Sequence, residues 1–262
     1  MTTIVTSADL LNALPVDALV AFAVLTRVGA MMMTAPAFGD YTLSPRIRLA
    51  IAFGVALALA PTVAPSFPET PSDPDALAIA GLIVGEAGVG LFLGLVARSI
   101  AAALNVAGQI IALQMGLSLA QAFDPSQEVQ GALIGGFLAV LGATMIFATD
   151  LHHLMLAALR DSYFLFTPGG ALNLGDMAHS MISALSFAFS LGVRLAAPFI
   201  VFGLVFYAGA GVLNRLMPQA QVFFMLMPAN LMLGLTLLMA TTGLMMTAFL
   251  AAFEDQISVF VR

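Results

Sequence analysis

The strongest candidates for chemistry in this sequence are the charged side chains that lie inside apolar runs. Arg27, Glu86, Arg98 and Arg194 each stand well inside an apolar run, where a charge costs at least ~3 kcal/mol unless it is paired or hydrated. They could form a proton or ion path, or structural ion pairs at contacts between helices or subunits. Glu86 and Arg98 lie about 120° apart around a helix, so their partners must come from other helices or chains. No second acid stands deep in a run to complete a relay, and we therefore favour structural pairs.

Histidines and one serine raise metal and protease hypotheses. Adjacent helical residues such as His152 and His153 point about 100° apart, so we expect an interfacial hydrogen-bonded pair there and no metal ion. Gly116-Leu117-Ser118 resembles the small-x-serine turn of intramembrane proteases, with a histidine as the base, but Leu119 occupies the next position, where a small residue is expected. No Walker loop, dinucleotide fingerprint or HExxH motif is present. We expect no enzymatic activity, no cofactor and no metal.

One polar stretch separates the apolar segments that must position these groups. Residues 109–130, QIIALQMGLSLAQAFDPSQEVQ, contain four glutamines, Gly116 and the pair Asp124-Pro125 between two long apolar runs. An unpaired polar group in hydrocarbon costs several kcal/mol, so such a stretch has to lie inside protein or against water. We expect it to face an internal cavity, a pore or a partner.

Composition identifies a membrane-class chain. The 262 residues are 61% apolar and 8% charged, against about 25% charged in soluble domains. The formal net charge of −6 argues against nucleic acid or an anionic surface as the main partner. The absence of cysteine excludes disulfides, iron–sulfur clusters and thiolate metal sites. The first residues carry no basic side chain, so we expect no cleaved signal and retention of the first apolar segment.

Six apolar runs predict an all-α, polytopic membrane protein. A spanning helix needs roughly 20 apolar residues, so the second run is short and the third is overlong. Pro45 suits a helix start, and an amphipathic helix is expected from Asp150 to the turn at Pro168-Gly169-Gly170. The pairs Gly81/Gly85 and Gly90/Gly94 predict close helix packing. The runs cover about residues 15–36, 49–62, 76–112, 131–149, 177–212 and 222–253.

Five segments, in order, resemble the FliR/SctT family, the export-gate subunits of flagellar and virulence type III secretion. The central segment AGQIIALQMGLSLAQAFDPSQEVQ is the most similar. The other segments are RVGAMMMTAPAFGDYTLSPRIRLA, GEAGVGLFLGLVAR, HHLMLAALRDSY and RLAAPFIVFGLVFYAGAGVLNRLMPQAQVFF. Each motif is loose by itself, but their shared order and spacing cover nearly the whole chain.

This resemblance implies kinked helical hairpins within a closed, helical, multi-subunit gate at the centre of the flagellar basal body in the bacterial inner membrane. The expected partners are FliP-like, FliQ-like, FlhB-like and FlhA-like proteins, the membrane, and unfolded exported proteins as cargo, with no nucleic acid. Residues 1–212 would be the FliP-like part and residues 213–262 the FliQ-like C-terminal hairpin. The subunit would complete the ring of partner subunits, and other subunits would supply the energy. The same motifs serve flagellar and injectisome systems.

The resemblance also implies roles for particular residues. Gln114, Met115, Gly116, Leu117 and Ser118 would plug the closed channel. A proton-coupled secondary transporter that uses Glu86 is the alternative function, and an intramembrane serine protease is less favoured still. Helix packing or subunit contact is expected for Gly81, Gly85, Glu86, Gly90, Gly94, Arg98, Arg194, Arg215, Pro218 and Gln219.

Overall fold

The computed structural model describes residues 16–39, 44–67, 76–117, 129–217 and 222–262. All regular structure in these ranges is helical, which confirms the all-α fold class predicted from the apolar runs. A short 3₁₀ turn, Ala64–Ser66, follows the second helix. The α-helices are α1 (Val16–Thr34), α2 (Pro45–Val63), α3 (Ala76–Gln114), α4 (Val129–Ala148), α5 (Leu151–Leu165), α6 (Leu174–Leu216) and α7 (Val222–Ser258).

Four described helical segments are long and apolar enough to cross a membrane: Pro45–Ser66, Ala76–Gln114, Leu174–Leu216 and Met225–Ser258. The segments of α4 and α5 together could supply a fifth, broken span. The apolar part of α1, Ala18–Thr34, is shorter than a full span. By length and composition, the described residues therefore offer four spans, or five if the broken pair of α4 and α5 counts as one.

Helix α2 is longer than the apolar run that predicted it. Ser44 caps the helix by accepting a hydrogen bond from the Ile47 backbone N–H at 3.4 Å, and Pro45 occupies the first turn. Proline suits this position because its ring presets φ and the first N–H groups have no helical partner. The helix thus includes Arg46 and Arg48, and the expectation of a segment starting at about Leu49 and too short to cross was wrong.

Contacts divide the chain into two compact units. Within the described residues, unit 1 takes in the chain up to Arg98, Asp150–Ser183 and Gln256–Arg262, and unit 2 takes in Ser99–Thr149 and Ala184–Asp255. The predicted boundary between residues 212 and 213 falls inside α6 and stays a prediction.

In unit 1, α1 packs on α2 and on the first part of α3. A Cβ atom added to Gly90 would lie 2.9 Å from the Ala30 Cβ, and one added to Gly94 would lie 2.7 Å from the Met31 carbonyl oxygen. Real Cβ atoms do not approach so closely, so these two glycines let the α1 and α3 backbones come together. This close approach sets the position of α1 along α3.

Unit 2 is built around the second part of α3. A Cβ atom on Gly192 of α6 would lie 2.7 Å from the Val106 Cβ of α3, and one on Gly142 of α4 would clash with the Leu104 side chain of α3. Phe249 and Phe253 of α7 are fully buried. Small residues on the surrounding helices therefore seat α3 closely, as in membrane helix packing.

Candidate functional site

A buried cluster of charge lies between α1, α3 and the end of α5 in unit 1. Arg27 is 0% exposed and Glu86 is 1% exposed. The Arg27 Nε donates to Glu86 Oε2 at 2.7 Å, and Arg27 Nη2 donates to Glu86 Oε1 at 2.8 Å. This two-point geometry is the strongest form of the arginine–carboxylate pair. We call Arg27, Glu86, Ser162, Tyr163 and the Phe166 carbonyl the Arg27 cluster.

The other groups of the Arg27 cluster accept hydrogen bonds from the guanidinium group or contact its face. Arg27 Nη1 donates to Ser162 Oγ at 3.0 Å, and Nη2 donates to the Phe166 carbonyl oxygen at 3.0 Å. The guanidinium carbon lies 3.8 Å from the centre of the Tyr163 ring, which is cation–π distance. Arg27 therefore joins three chain segments that are distant in sequence, and its charge is compensated by Glu86.

The second polar arrangement, in unit 2, is the end of α3. Gly116 has φ 78°, the left-handed conformation that glycine adopts without a Cβ penalty. The Leu117 N–H donates to the Ala112 carbonyl at 3.0 Å, and the Gly116 N–H donates to the Leu113 carbonyl at 3.1 Å. These two bonds define a Schellman motif with Gly116 just past the helix end. We call residues 114–117 the 114–117 turn.

Every one of the last four carbonyl groups of α3 has a partner. Backbone N–H groups of the turn reach the carbonyls of residues 111–113. The fourth, the Gln114 carbonyl, accepts from Asn230 Nδ2 of α7 at 3.2 Å. Asn230 is 3% exposed, and its Nδ2 also donates to the Tyr207 hydroxyl of α6 at 3.4 Å. A side chain from another helix thus completes a helix end whose groups would otherwise be orphaned.

Two glycines make room for the side chains of the 114–117 turn. A Cβ atom on Gly234 of α7 would lie 2.5 Å from the Met115 Cγ, and one on Gly203 of α6 would lie 2.8 Å from the Gln114 Cδ. Met115 is only 1% exposed. The turn is therefore docked into notches of α6 and α7 rather than free at the end of α3.

The other predicted site residues divide into three groups. Gly81 and Gly85 face open space in the described structure, whereas Gly90 and Gly94 contact α1. Arg98, Arg194 and Arg215 are exposed on this chain, and their role in helix packing or subunit contact stays a prediction. Their helices are apolar, but these side chains lie on an outer face. Ser118, Pro218 and Gln219 lie outside the described residues.

The two adjacent histidines converge more than simple helix geometry predicts. Their ring centroids are 4.0 Å apart with an interplanar angle of 36°. Asp150, the residue before α5, has φ 61°, and its Oδ1 lies 3.5 Å from His153 Nδ1. The expectation that these rings must point apart was wrong, because rotation about the side-chain bonds offsets the 100° separation of their Cα positions.

An open pocket of about 300 Å³ lies in unit 1 beside the loop from α5 to α6. The rings of Phe92, Phe166 and Phe260 form much of its wall, with centroid separations of 5.9 and 6.1 Å between packed pairs. Two of its polar side chains, Asn173 and Asp176, cap the start of α6: Asn173 Nδ2 donates to Asp176 Oδ2 at 2.6 Å, and Asn173 Oδ1 accepts from the Asp176 N–H at 3.4 Å. They therefore act as a helix cap.

Several residues of these sites escaped the sequence analysis. Asn230 is a single amide inside the last apolar run. A polar group in such a run needs a partner, so the same reasoning that was applied to the buried charges could have predicted a polar contact here. Tyr207 and Tyr163 gave no such signal, because aromatic residues are ordinary in apolar helices. Ser162 adjoins the Arg160–Asp161 pair and read as the polar face of an amphipathic helix, yet it is fully buried.

Long apolar helices, glycine-notched packing and buried, paired polar groups define an all-helical, membrane-embedded protein. The chain belongs to the family of bacterial export proteins, family 1, whose sequence profile matches residues 18–256. It is 40% identical over 241 residues to the flagellar biosynthetic protein FliR of Caulobacter vibrioides, covering 92% of this chain and 95% of that protein. It is 32% identical to FliR of Escherichia coli over 82% of this chain and 81% of that protein. FliR of Bacillus subtilis is 29% identical over 82% and 83%.

Proposed function

We propose that this chain is a structural and gating subunit of the flagellar type III protein-export gate. It would complete a ring of FliP-like and FliQ-like subunits in the bacterial inner membrane, at the centre of the basal body, and work with FlhA-like and FlhB-like proteins. Unfolded exported proteins would be its cargo. Membership of the export family and the flagellar names of its relatives support this proposal. The chain itself would catalyse no reaction.

The 114–117 turn is the observation that carries the gating role. A helix of 39 residues, far longer than one crossing needs, ends here at a glycine with positive φ. The turn contains four of the five residues, Gln114 to Ser118, that would plug the channel. Because Gly116 tolerates both signs of φ, it can change conformation without the steric penalty that other residues meet. In this proposal the 114–117 turn, continued by Ser118, is the plug.

The contacts of the turn set the energy that opening requires. Release would break the hydrogen bond from Asn230, worth ~0.5–1.5 kcal/mol net, and withdraw Met115 from its notch. Full exposure of a buried methionine costs roughly 1.5–3 kcal/mol. The sum, about 2–4.5 kcal/mol, keeps the turn docked at rest and is small enough for arriving cargo or a partner subunit to supply. The gate would therefore be passive.

The Arg27 cluster supports a structural rather than a transporting role for Glu86. Both carboxylate oxygens accept hydrogen bonds from one guanidinium group, which stabilises the charged carboxylate. A carboxylate that cycles protons has to lose and regain its charge, and here each protonation would leave Arg27 buried without its counter-ion. Substrate-coupled proton uptake by the isolated chain, abolished in Glu86→Gln, would instead establish the transporter alternative.

Two glycine variants test the plug assignment with matched backbone strain. Gly116 and Gly169 both have positive φ, 78° and 71°, so an alanine at either position costs about 1–2 kcal/mol. We expect Gly116→Ala, and deletion of Met115 to Ser118, to raise ion leakage through membranes and to alter secretion of flagellar proteins into the medium. Gly169→Ala should leave both unchanged. Wild-type leakage and secretion in both altered turns would refute the plug.

Co-purification tests the ring assignment. We expect the chain, expressed with its FliP-like and FliQ-like neighbours, to be isolated from detergent as one complex of defined mass. The same chain expressed alone should be recovered poorly, because its membrane-length segments are only 17–39% buried within the chain. Recovery of a stable, active monomer would contradict the proposal.

A further inference from the structure

We propose that Asp150, His152 and His153 form a binding site for a divalent transition-metal ion of the zinc type. The proposal is independent of the gating function. One potential ligand atom from each of the three residues lies within 4.8 Å of the other two. The nearest pair, His153 Nδ1 and Asp150 Oδ1, is 3.5 Å apart. Ligand atoms of a tetrahedral zinc site lie roughly 3.3 Å apart, given bonds of about 2.0 Å, so small side-chain rotations would bring all three onto one ion.

The local backbone builds this arrangement. Asp150 adopts the left-handed conformation, with φ 61° and ψ 12°, immediately before α5. Its carboxylate makes no cap hydrogen bond to the start of the helix, so capping does not occupy it. The His153 N–H donates to the Asp150 carbonyl at 2.9 Å, which closes the turn and holds the carboxylate beside the first turn of α5. A left-handed residue other than glycine is uncommon, and here it aims an acid at two imidazoles.

The donor set selects the class of ion. Two imidazole nitrogens and one carboxylate oxygen match the ligands of open zinc sites, which have three protein ligands and a fourth position for water. Magnesium and calcium favour all-oxygen sets, so they are disfavoured. The side chains of His153 and Asp150 are 68% and 77% exposed, and an ion can therefore reach the site without opening the fold.

The test uses the full-length chain in detergent, with its co-purifying subunits and a purification tag that contains no histidine. Zinc binding is measured by competition with a fluorescent chelator, for the wild type and for His152→Ala, His153→Ala and His179→Ala. His179 is the matched control, because it is the remaining histidine of the chain and stands outside the cluster. Circular dichroism verifies that each variant keeps its helical content.

We expect one zinc ion per chain to be lost, or bound at least tenfold more weakly, in both His152→Ala and His153→Ala. Loss of a group that only hydrogen-bonds to a metal ligand already weakens metal binding about 10–100-fold. Loss of a ligand itself should weaken binding at least as much. His179→Ala should bind as the wild type does. Asp150→Asn, which keeps the side-chain size, should also weaken binding. Equal zinc stoichiometry and affinity in the wild type and both ligand variants would overturn the site, as would an equal loss in His179→Ala.

Discussion

Removal of the Glu86 carboxylate should destabilise the protein far more than removal of an exposed charge. In Glu86→Ala, Arg27 keeps its bonds to Ser162 Oγ and the Phe166 carbonyl and its contact with the Tyr163 ring. None of these groups carries a compensating charge. Breaking one partner of a buried ion pair costs ~3–5 kcal/mol. At about 2–4 °C per kcal/mol for chains of this size, the unfolding midpoint should fall by roughly 6–20 °C.

A double-mutant cycle separates pairing from side-chain loss. Arg27→Met, Glu86→Leu and the double variant replace the ion pair by apolar groups, and the double change should be much milder than the sum of the single changes. Thermal unfolding is followed by circular dichroism in detergent, with co-purifying subunits retained. Glu254→Ala is the control, because Glu254 is an exposed glutamate and a surface change of this kind falls within about 0.5 kcal/mol.

Two outcomes would refute this reasoning. The first is a Glu86→Ala variant as stable as Glu254→Ala, because that would mean Arg27 finds another counter-ion or water in the assembled protein. The second is strict additivity of the Arg27→Met and Glu86→Leu effects, since additive effects mean that the two side chains do not interact.

Further variants test individual contacts by the same unfolding measurement. Asn230→Ala should cost about 1–3 kcal/mol because it orphans the buried carbonyl at the end of α3, whereas the exposed control Asn214→Ala should be nearly neutral; equal effects would contradict the cap. Gly94→Val should cost ~1–3 kcal/mol by overpacking against α1, and the same change at Gly54 of α2, which faces open space, should not; no difference between them would rule out the notch. Ser162→Ala removes one bond to a charged group and should cost roughly 1.5–3 kcal/mol, and a wild-type midpoint would mean that this bond contributes nothing.

The helices could be predicted from the sequence because their signals are local. A run of apolar residues predicts a segment in which each backbone group pairs within its own helix, and Pro45 marked the start of α2. Gly116 was expected to permit a turn, and it ends α3 as the glycine of a Schellman motif. The main error at this level concerned α2, which was expected to start at about Leu49 and to be too short to cross, whereas it begins at Pro45 and includes both arginines.

The sequence did not predict which buried polar groups pair with one another. The sequence excluded Arg98 as the partner of Glu86, because the two lie about 120° apart on one helix, but nothing in the spacing chose Arg27 over Arg194. The choice depends on Gly90 and Gly94, which let α1 approach α3 closely enough for a two-point ion pair. The convergence of His152 and His153 likewise depends on side-chain rotation, which helical spacing does not specify.

The amino-acid sequence by itself determined the membrane class, the helices and the family resemblance, because composition, apolar run length and motif order are properties of the chain alone. Only the tertiary structure decided which polar groups meet. Arg27 and Glu86 are 59 positions apart, and Asn230 and Gln114 are 116 positions apart. Contacts over such separations depend on where glycine notches allow helices to approach. The spacing of residues along one helix does not specify how closely another helix approaches it.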